Sequence, residues 1–262
     1  MAKSLTSKKQ PEKSLLVSLK KYAGRNRNGQ ITVRHRGGGS RKLYRKVEFG
    51  QKYLDVPGKV TAIEYDPNRN AHIALVEYEN GDKGYVLAAQ RVQEGTVILA
   101  SEKGELVPGS RMKLKNIPVG TLIHNIELIP MRGGKVVRGA GTSARVVTQE
   151  EKFTHLLMPS SEVRQVPAEA YASIGAVSNP GHMYKVIGKA GSNRLKGKRP
   201  HVRGVAMNPV DHPHGGGEGR GSIGGKYPKT PWGKHALGVK TRKAKKWTNA
   251  LIVQRRKKKK KK

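Results

Sequence analysis

The densest chemistry in this 262-residue sequence lies between Met207 and Gly221, MNPVDHPHGGGEGRG, where Asp211, His212, His214 and Glu218 fall within eight positions. Imidazole and carboxylate suit zinc, and the same groups can shuttle protons, so one reading is a metal-dependent hydrolase acting on nucleic acid. Against it, Pro209, Pro213 and the triplet Gly215, Gly216 and Gly217 predict an irregular loop with nothing to fix ligand geometry. In an extended chain His212 and His214 also point to opposite sides, away from a common ion. The favoured reading is a loop running through polyanionic surroundings. Proline stiffens it, glycine permits close approach, and Asn208, Asp211, His212 and His214 meet phosphate, ribose or base edges.

A second cluster runs from Arg25 and Arg27 to Arg34-His35-Arg36-Gly37-Gly38-Gly39-Ser40-Arg41. Guanidinium forks bind phosphate oxygens in pairs, and three glycines let the backbone approach a sugar-phosphate chain without a Cβ in the way. Tyr22 and Tyr44 flank this cluster and could stack on unpaired bases. Two stretches imitate a dinucleotide-binding fingerprint, Gly139 to Ala144 and Gly219 to Gly224. Neither opens a helix, since strand-like Arg145 to Thr148 follows the first and Gly225-Lys226-Tyr227-Pro228 the second, so no helix N-terminus is there to hold a pyrophosphate. The phosphate-loop, nucleophile-elbow and helical zinc-protease patterns do not occur, and the sequence calls for no cofactor.

The elements that must position these residues are short. Strand patterns cover residues 60–65, 73–78, 85–87, 96–99, 111–114, 122–129, 135–138, 144–148, 153–158, 163–166 and 174–177, separated by turn clusters, and predict one or two small barrels in a mainly β chain. Two brief helical turns are expected, at Leu15 to Tyr22 and at Pro167 to Tyr171. Pro108-Gly109 is the best internal boundary. With no cysteine there is neither a disulfide nor a thiolate site. No apolar run reaches the roughly 18 residues of a membrane span, and the first twenty residues lack arginine and contain Glu12, so the expectation is a soluble protein without a membrane partner or an import leader.

The net charge is +35, and it is unevenly placed. Residues 1–41 carry +10, residues 42–108 carry −1, residues 109–190 carry +6 and residues 191–262 carry +20. A near-neutral body between two polycationic arms is the expectation, and the C-terminal arm, with 12 of 32 glycines, cannot order by itself. Lys257 to Lys262 form a phosphate-neutralising tail, a targeting signal or a solvated end. A DNA-compacting protein would share such a charge, although small barrels with stacking tyrosines lean toward RNA.

Taken in order, RNRNGQITVRHRGGGSRKLYR (Arg25 to Arg45), IEYDPNRNAHIALVEYENGDKGYVLA (Ile63 to Ala88), NIPVGTLIHNIEL (Asn116 to Leu128), GKAGSNRLKGKRPHVRGVAMNPVDHPHGGGEGR (Gly188 to Arg220) and TPWGKHALGVKTR (Thr230 to Arg242) resemble the second large-subunit ribosomal protein family, of bacterial or organellar type. The six-lysine tail is not part of that pattern. The resemblance implies an OB-like barrel over residues 42–108, an SH3-like barrel over 109–190, and basic extensions at 1–41 and 191–262 threaded into large-subunit rRNA. It implies a structural, non-enzymatic role: stabilising that RNA, supporting subunit joining and reaching toward the peptidyl transferase region. The partners it implies are large-subunit rRNA, neighbouring ribosomal proteins and the small subunit, with no small-molecule substrate, in a cytoplasmic or organellar ribosome. Two RNA-binding arginines of the family match Arg69 and Arg138, and its much-discussed histidine matches His212. The matched motifs also carry Arg194, Lys196, Lys198, Arg199, Arg203, Arg220, Trp232, Lys240 and Arg242 into the expected rRNA contacts.

Overall fold

The computed structural model describes Thr6, residues 10–219 and residues 221–256; Arg220 and the lysine tail lie outside them. The chain forms two compact units. One, the body, takes residues 1–19, 42–186 and 248–262; the other, the arm unit, takes residues 20–41 and 187–247.

In the body, a 3-10 turn at Lys13–Leu15 leads into β1 (Leu16–Ser18), which pairs antiparallel with β2 (Leu43–Arg45). The helix expected from Leu15 to Tyr22 is therefore corrected to a strand, because Leu16 and Val17 find a partner in Arg45 and Tyr44. β3 (Val47–Glu48), β4 (Gly58–Glu64), β5 (Ile73–Tyr78), β6 (Lys83–Leu87) and β7 (Val97–Ile98) form a five-stranded sheet in the order β3-β6-β5-β4-β7. Only β3 and β6 run parallel within it. The expected hairpin at Asn80-Gly81 joins β5 to β6, with Gly81 at φ +80. Val60, Ile63, Ala74, Val76, Ala88 and Val92 pack its core. This is the OB-like barrel.

The SH3-like barrel is built from seven strands: β8 (Arg111–Lys113), β9 (Leu122–His124), β10 (Ala144–Gln149), β11 (Phe153–Leu157), β12 (Val163–Pro167), β13 (Tyr171–Ile174) and β14 (Ile252–Gln254). Their order is β14-β12-β11-β10-β9-β13-β8, antiparallel throughout. Met112, Leu114, Ile123, Ile126, Val146, Leu156 and Val166 fill its core, each large side chain stabilising the fold by about 1.5–3 kcal/mol.

Several expected elements shift for identifiable reasons. The strand expected over 122–129 stops at His124 because Asn125 turns left-handed, φ +47. Residues 135–138 form no strand beyond a single bridge from Val136 to Ile126, because Val137 sits at φ +55. A β-branched residue there is strained, and its carbonyl is held by the Asn125 N–H at 2.8 Å. Pro167 to Tyr171 make a β-turn between β12 and β13, closed by the Ala170 N–H on the Pro167 carbonyl, in place of a helical turn.

A buried ion pair knits the body together. The Arg111 guanidinium reaches the Glu127 carboxylate at 3.0 Å, the Asn125 carbonyl at 2.7 Å and the Gln51 side chain at 3.1 Å. Glu127 in turn accepts the backbone N–H groups of Met131, Gly133 and Tyr171. Nearby, His124 is fully buried with Nδ1 donating to the Gly175 carbonyl at 2.9 Å. Burial and the neighbouring Arg111 charge outweigh that bond, and its pKa is pushed down to about 4.

The arm unit has a different construction. Among its described residues the one α-helix, α1 (Ala190–Leu195), is short, and no buried apolar side chain belongs to the unit. Backbone bonds hold it instead. Residues 35–40 run beside 195–199: the Gly37 N–H meets the Gly197 carbonyl, the Ser40 N–H the Leu195 carbonyl, and the Arg199 N–H the His35 carbonyl, all between 2.9 and 3.1 Å. Arg36 bridges Lys198 in antiparallel fashion. The two arms, remote in sequence, thus form one body.

Candidate nucleic-acid interface

Arg69 and Arg138 come together on the body. The turn Asp66-Pro67-Asn68-Arg69-Asn70 is fixed from both sides, by Asn68 Nδ2 on the Leu43 carbonyl at 2.8 Å and by Asn179 Nδ2 on the Asn70 carbonyl at 2.7 Å. Within it, the buried Asp66 carboxylate takes the Asn68 N–H at 2.8 Å and Arg69 Nε at 2.6 Å. One edge of the Arg69 guanidinium is therefore committed to Asp66. The group also lies 5.4 Å from the Phe49 ring centre and 6.0 Å from that of Tyr44. Arg138, exposed, lies 4.4 Å from the same Phe49 ring. Two cations lie against one aromatic ring, and a phosphate bound there would offset their like charge. Phe49 was not singled out from sequence. Its signal there is an aromatic next to the glycine of an otherwise polar Glu48-to-Lys52 stretch.

The Gly139 loop, dismissed above as a dinucleotide site, is a turn: the Thr142 N–H and hydroxyl both return to the Gly139 carbonyl. No helix follows it.

In the arm unit the glycine triplet takes positive φ at Gly37, Gly38 and Gly39. At Gly39 the freedom is required by a close approach, since a Cβ would come within 2.9 Å of the Gly197 backbone. The approach read from the sequence as one to a sugar-phosphate chain is thus made, at Gly39, to another part of the protein. It leaves the cations on the surface: Arg25, Arg27, Arg34, Arg36, Arg41, Lys196, Lys198, Arg199, Arg203, Lys240 and Arg242 are exposed. His35 stacks on His201 at 4.3 Å, and desolvation with the nearby cationic groups keeps its pKa below the usual imidazole value. Arg194 is half-buried on α1, and its Nη1 is covered without a hydrogen-bond partner among the described residues.

The histidine loop is turned, not extended. The Asn208 carbonyl accepts the N–H groups of Asp211 and His212, and the His212 carbonyl accepts that of Gly215. His212 and His214 consequently sit on the same side with ring centres 4.7 Å apart, which corrects the expectation that they diverge. The His212 ring packs on Gly204, where a Cβ would lie 2.5 Å from it. Its Nδ1 accepts the His214 N–H at 3.1 Å, and His214 Nε2 accepts the Lys229 N–H at 2.9 Å. The accepting nitrogens carry no proton, so the ring N–H lies on Nε2 in His212 and on Nδ1 in His214. Desolvation, His214 and Arg34 lower the His212 pKa in the same sense. The lone pairs a metal would need are occupied, and no group of three or more metal-ligating side chains assembles among the described residues. Asp211 and Glu218 are exposed, as are Asn208, Gly216 and Gly217, while Gly215 is half-buried beneath the loop.

Trp232 tops a tight turn, 76% exposed, with the Arg34 guanidinium 5.6 Å from its ring centre. Among the described residues no helix is long and apolar enough to cross a membrane.

Comparison with known proteins agrees with this geometry. The family model for Ribosomal Proteins L2, RNA binding N-terminal domain, matches residues 12–100, and that for Ribosomal Proteins L2, C-terminal domain, matches residues 107–233. The chain is 52% identical over 253 residues to the large ribosomal subunit protein uL2 of Phenylobacterium zucineum (strain HLK1), covering 97% of this chain and 91% of that one. It is 53% identical over 252 residues to uL2 of Parvibaculum lavamentivorans (strain DS-1 / DSM 13023 / NCIMB 13966), covering 96% and 90%. With both domains matched and the likeness running through body and arms alike, the chain belongs to the ribosomal protein L2 family.

Proposed function

We propose that this protein is a structural constituent of the large ribosomal subunit that binds large-subunit rRNA, and that it performs no chemistry of its own. The observation that carries the proposal is the arm unit. Its residues hold 22 Lys and Arg against two acidic side chains, yet bury no apolar side chain among those described. Ordering about 80 residues costs about 1–2 kcal/mol each for the backbone, and without an apolar core the offset must come from a polyanion. RNA supplies phosphates for the exposed guanidiniums and acceptors for the His212 Nε2–H.

In this reading Arg69 and Arg138 on the body, and on the arms the glycine triplets, the cations set out above, Asn208, Asp211, His212, His214 and Trp232, form the rRNA contacts. The division into residues 1–41, 42–108, 109–190 and 191–262 is the functional one: two barrels that seat the protein and two basic segments that enter the RNA. The histidine loop supports the peptidyl transferase region, where RNA carries out the reaction. The protein also aids subunit association, meeting neighbouring ribosomal proteins and the small subunit, in the ribosome of the cytoplasm. The hydrolase alternative is not favoured, since the loop's imidazole lone pairs are spent on backbone N–H groups.

Salt dependence tests the reading. Neutralising about ten phosphates gives a slope of log affinity against log salt near −7 to −9. Filter binding of the full chain to large-subunit rRNA across a salt series should return a slope of that size, and a flat dependence would remove RNA as the partner.

A further inference from the structure

We propose that Trp232 is a stacking platform for an unpaired nucleobase, presented by a rigid hairpin and backed by Arg34. The inference rests on the RNA-binding reading and specifies one of its sites. Pro228 to Ala236 fold back on themselves: the Ala236 N–H reaches the Pro228 carbonyl at 2.8 Å, the Thr230 N–H the Lys234 carbonyl at 2.7 Å, and Lys229 bridges His235. Across the tip, the Gly233 N–H closes a four-residue turn on the Thr230 carbonyl at 2.9 Å, and the Thr230 hydroxyl accepts the Lys234 N–H at 3.2 Å. Pro231 takes the second position, where its fixed φ suits the turn, and Gly233 follows at φ +74. Trp232 occupies the third position and projects from the apex. Below it, Tyr227 and His235 stack at 3.9 Å and brace the stem, and the Lys229 N–H ties the stem to His214.

A tryptophan this exposed is expensive to leave in water, and the described residues leave it uncovered. Of the partners its ring could meet, the surroundings favour a base. Arg34 lies beside the ring, and Lys229 and Lys234 of the same hairpin are exposed; this positive charge suits the phosphates flanking a base and opposes an apolar protein pocket. Arg34 lies within cation–π range and leaves the rest of the indole open, so a base on the free face completes an Arg–Trp–base stack. Only an unpaired base exposes its π-face, so the site discriminates single-stranded loops from duplex.

The test uses the full chain in a Trp247→Phe background, which leaves Trp232 as the single remaining tryptophan. Its fluorescence is followed during titration with protein-free large-subunit rRNA, with a single-stranded RNA and with a fully paired RNA. Strong quenching by the first two and little by the paired RNA is expected, because stacked bases quench indole emission. In filter binding, Trp232→Leu should weaken rRNA binding about tenfold while Trp232→Phe stays near the parent. Normal binding with unquenched emission, or Trp232→Leu binding as tightly as Trp232→Phe, would overturn the stacking site while leaving the RNA-binding reading intact. A blue shift on adding ribosomal proteins, with no response to RNA, would assign the ring to a protein pocket and overturn it equally. Absence of any RNA binding by the parent would end both.

Discussion

The body and the arm unit solve the problem of holding a chain in place by opposite means. Residues 42–186 carry 19 basic and 15 acidic side chains and close around apolar cores, with buried charge met by buried charge, as at Arg111 and Glu127. In the arm unit nearly all the charge has one sign, the side chains project, and the backbone bonds to itself through glycines. On the proposed reading, stability is concentrated in the body and affinity in the arms. The body's proposed share of binding falls to cations laid on an aromatic ring, as Arg69 and Arg138 are on Phe49.

That division can be broken by mutation. The largest effect is expected at Glu127→Gln. An amide there faces N–H donors on both former carboxylate oxygens and leaves Arg111 charged and buried, costing about 3–5 kcal/mol of body stability in a urea melt. An unshifted midpoint would mean the pair does not hold the body. Next, His124 binds a proton readily when unfolded, near pH 6.5, but only near pH 4 when folded. The unfolded state binds more protons between those values, so stability falls as pH drops through that window, by about 3 kcal/mol in all. His124→Asn, which keeps a donor for the Gly175 carbonyl, should flatten the loss; melts in buffers spanning that range read it directly. The smallest effect, and the sharpest for the comparison, belongs to Arg138→Ala. It should weaken rRNA binding by about 1–3 kcal/mol while leaving the melt unchanged, because Arg138 is exposed and makes no ion pair among the described residues. Arg69→Ala is the poorer probe: it strips a buried Asp66 of its partner and so mixes stability with affinity.

Much of the body was legible in the sequence because alternation marks strands that bury one face, and β4 to β6 and β10 to β12 stand where the pattern puts them. Val136 and Val137 misled because valine is a strand former, while the local backbone is set by the bonds of Asn125 and Ile126. β14 was hidden because Ala250 to Val253 is a short unbroken apolar run with no alternation, set just before the polybasic end. At the interface, charge announced the surface, and the D-P-N-R-N turn announced Arg69's loop. The union of residues 35–40 with 195–199, and the donor sequence Lys229 to His214 to His212, depend on backbone bonds between distant segments, which residue types do not encode.

The pairing of β1 with β2, and of β14 with β12, fastens each basic segment at its far end as well as its near one. Residues 20–41 and 187–247 are accordingly closed loops hung on strands, with no free tip. Tying a flexible segment at both ends removes conformations it would have with one end loose, so less entropy is left to lose when it is ordered. The two pairings therefore lower in advance the cost of ordering each basic segment against a polyanion.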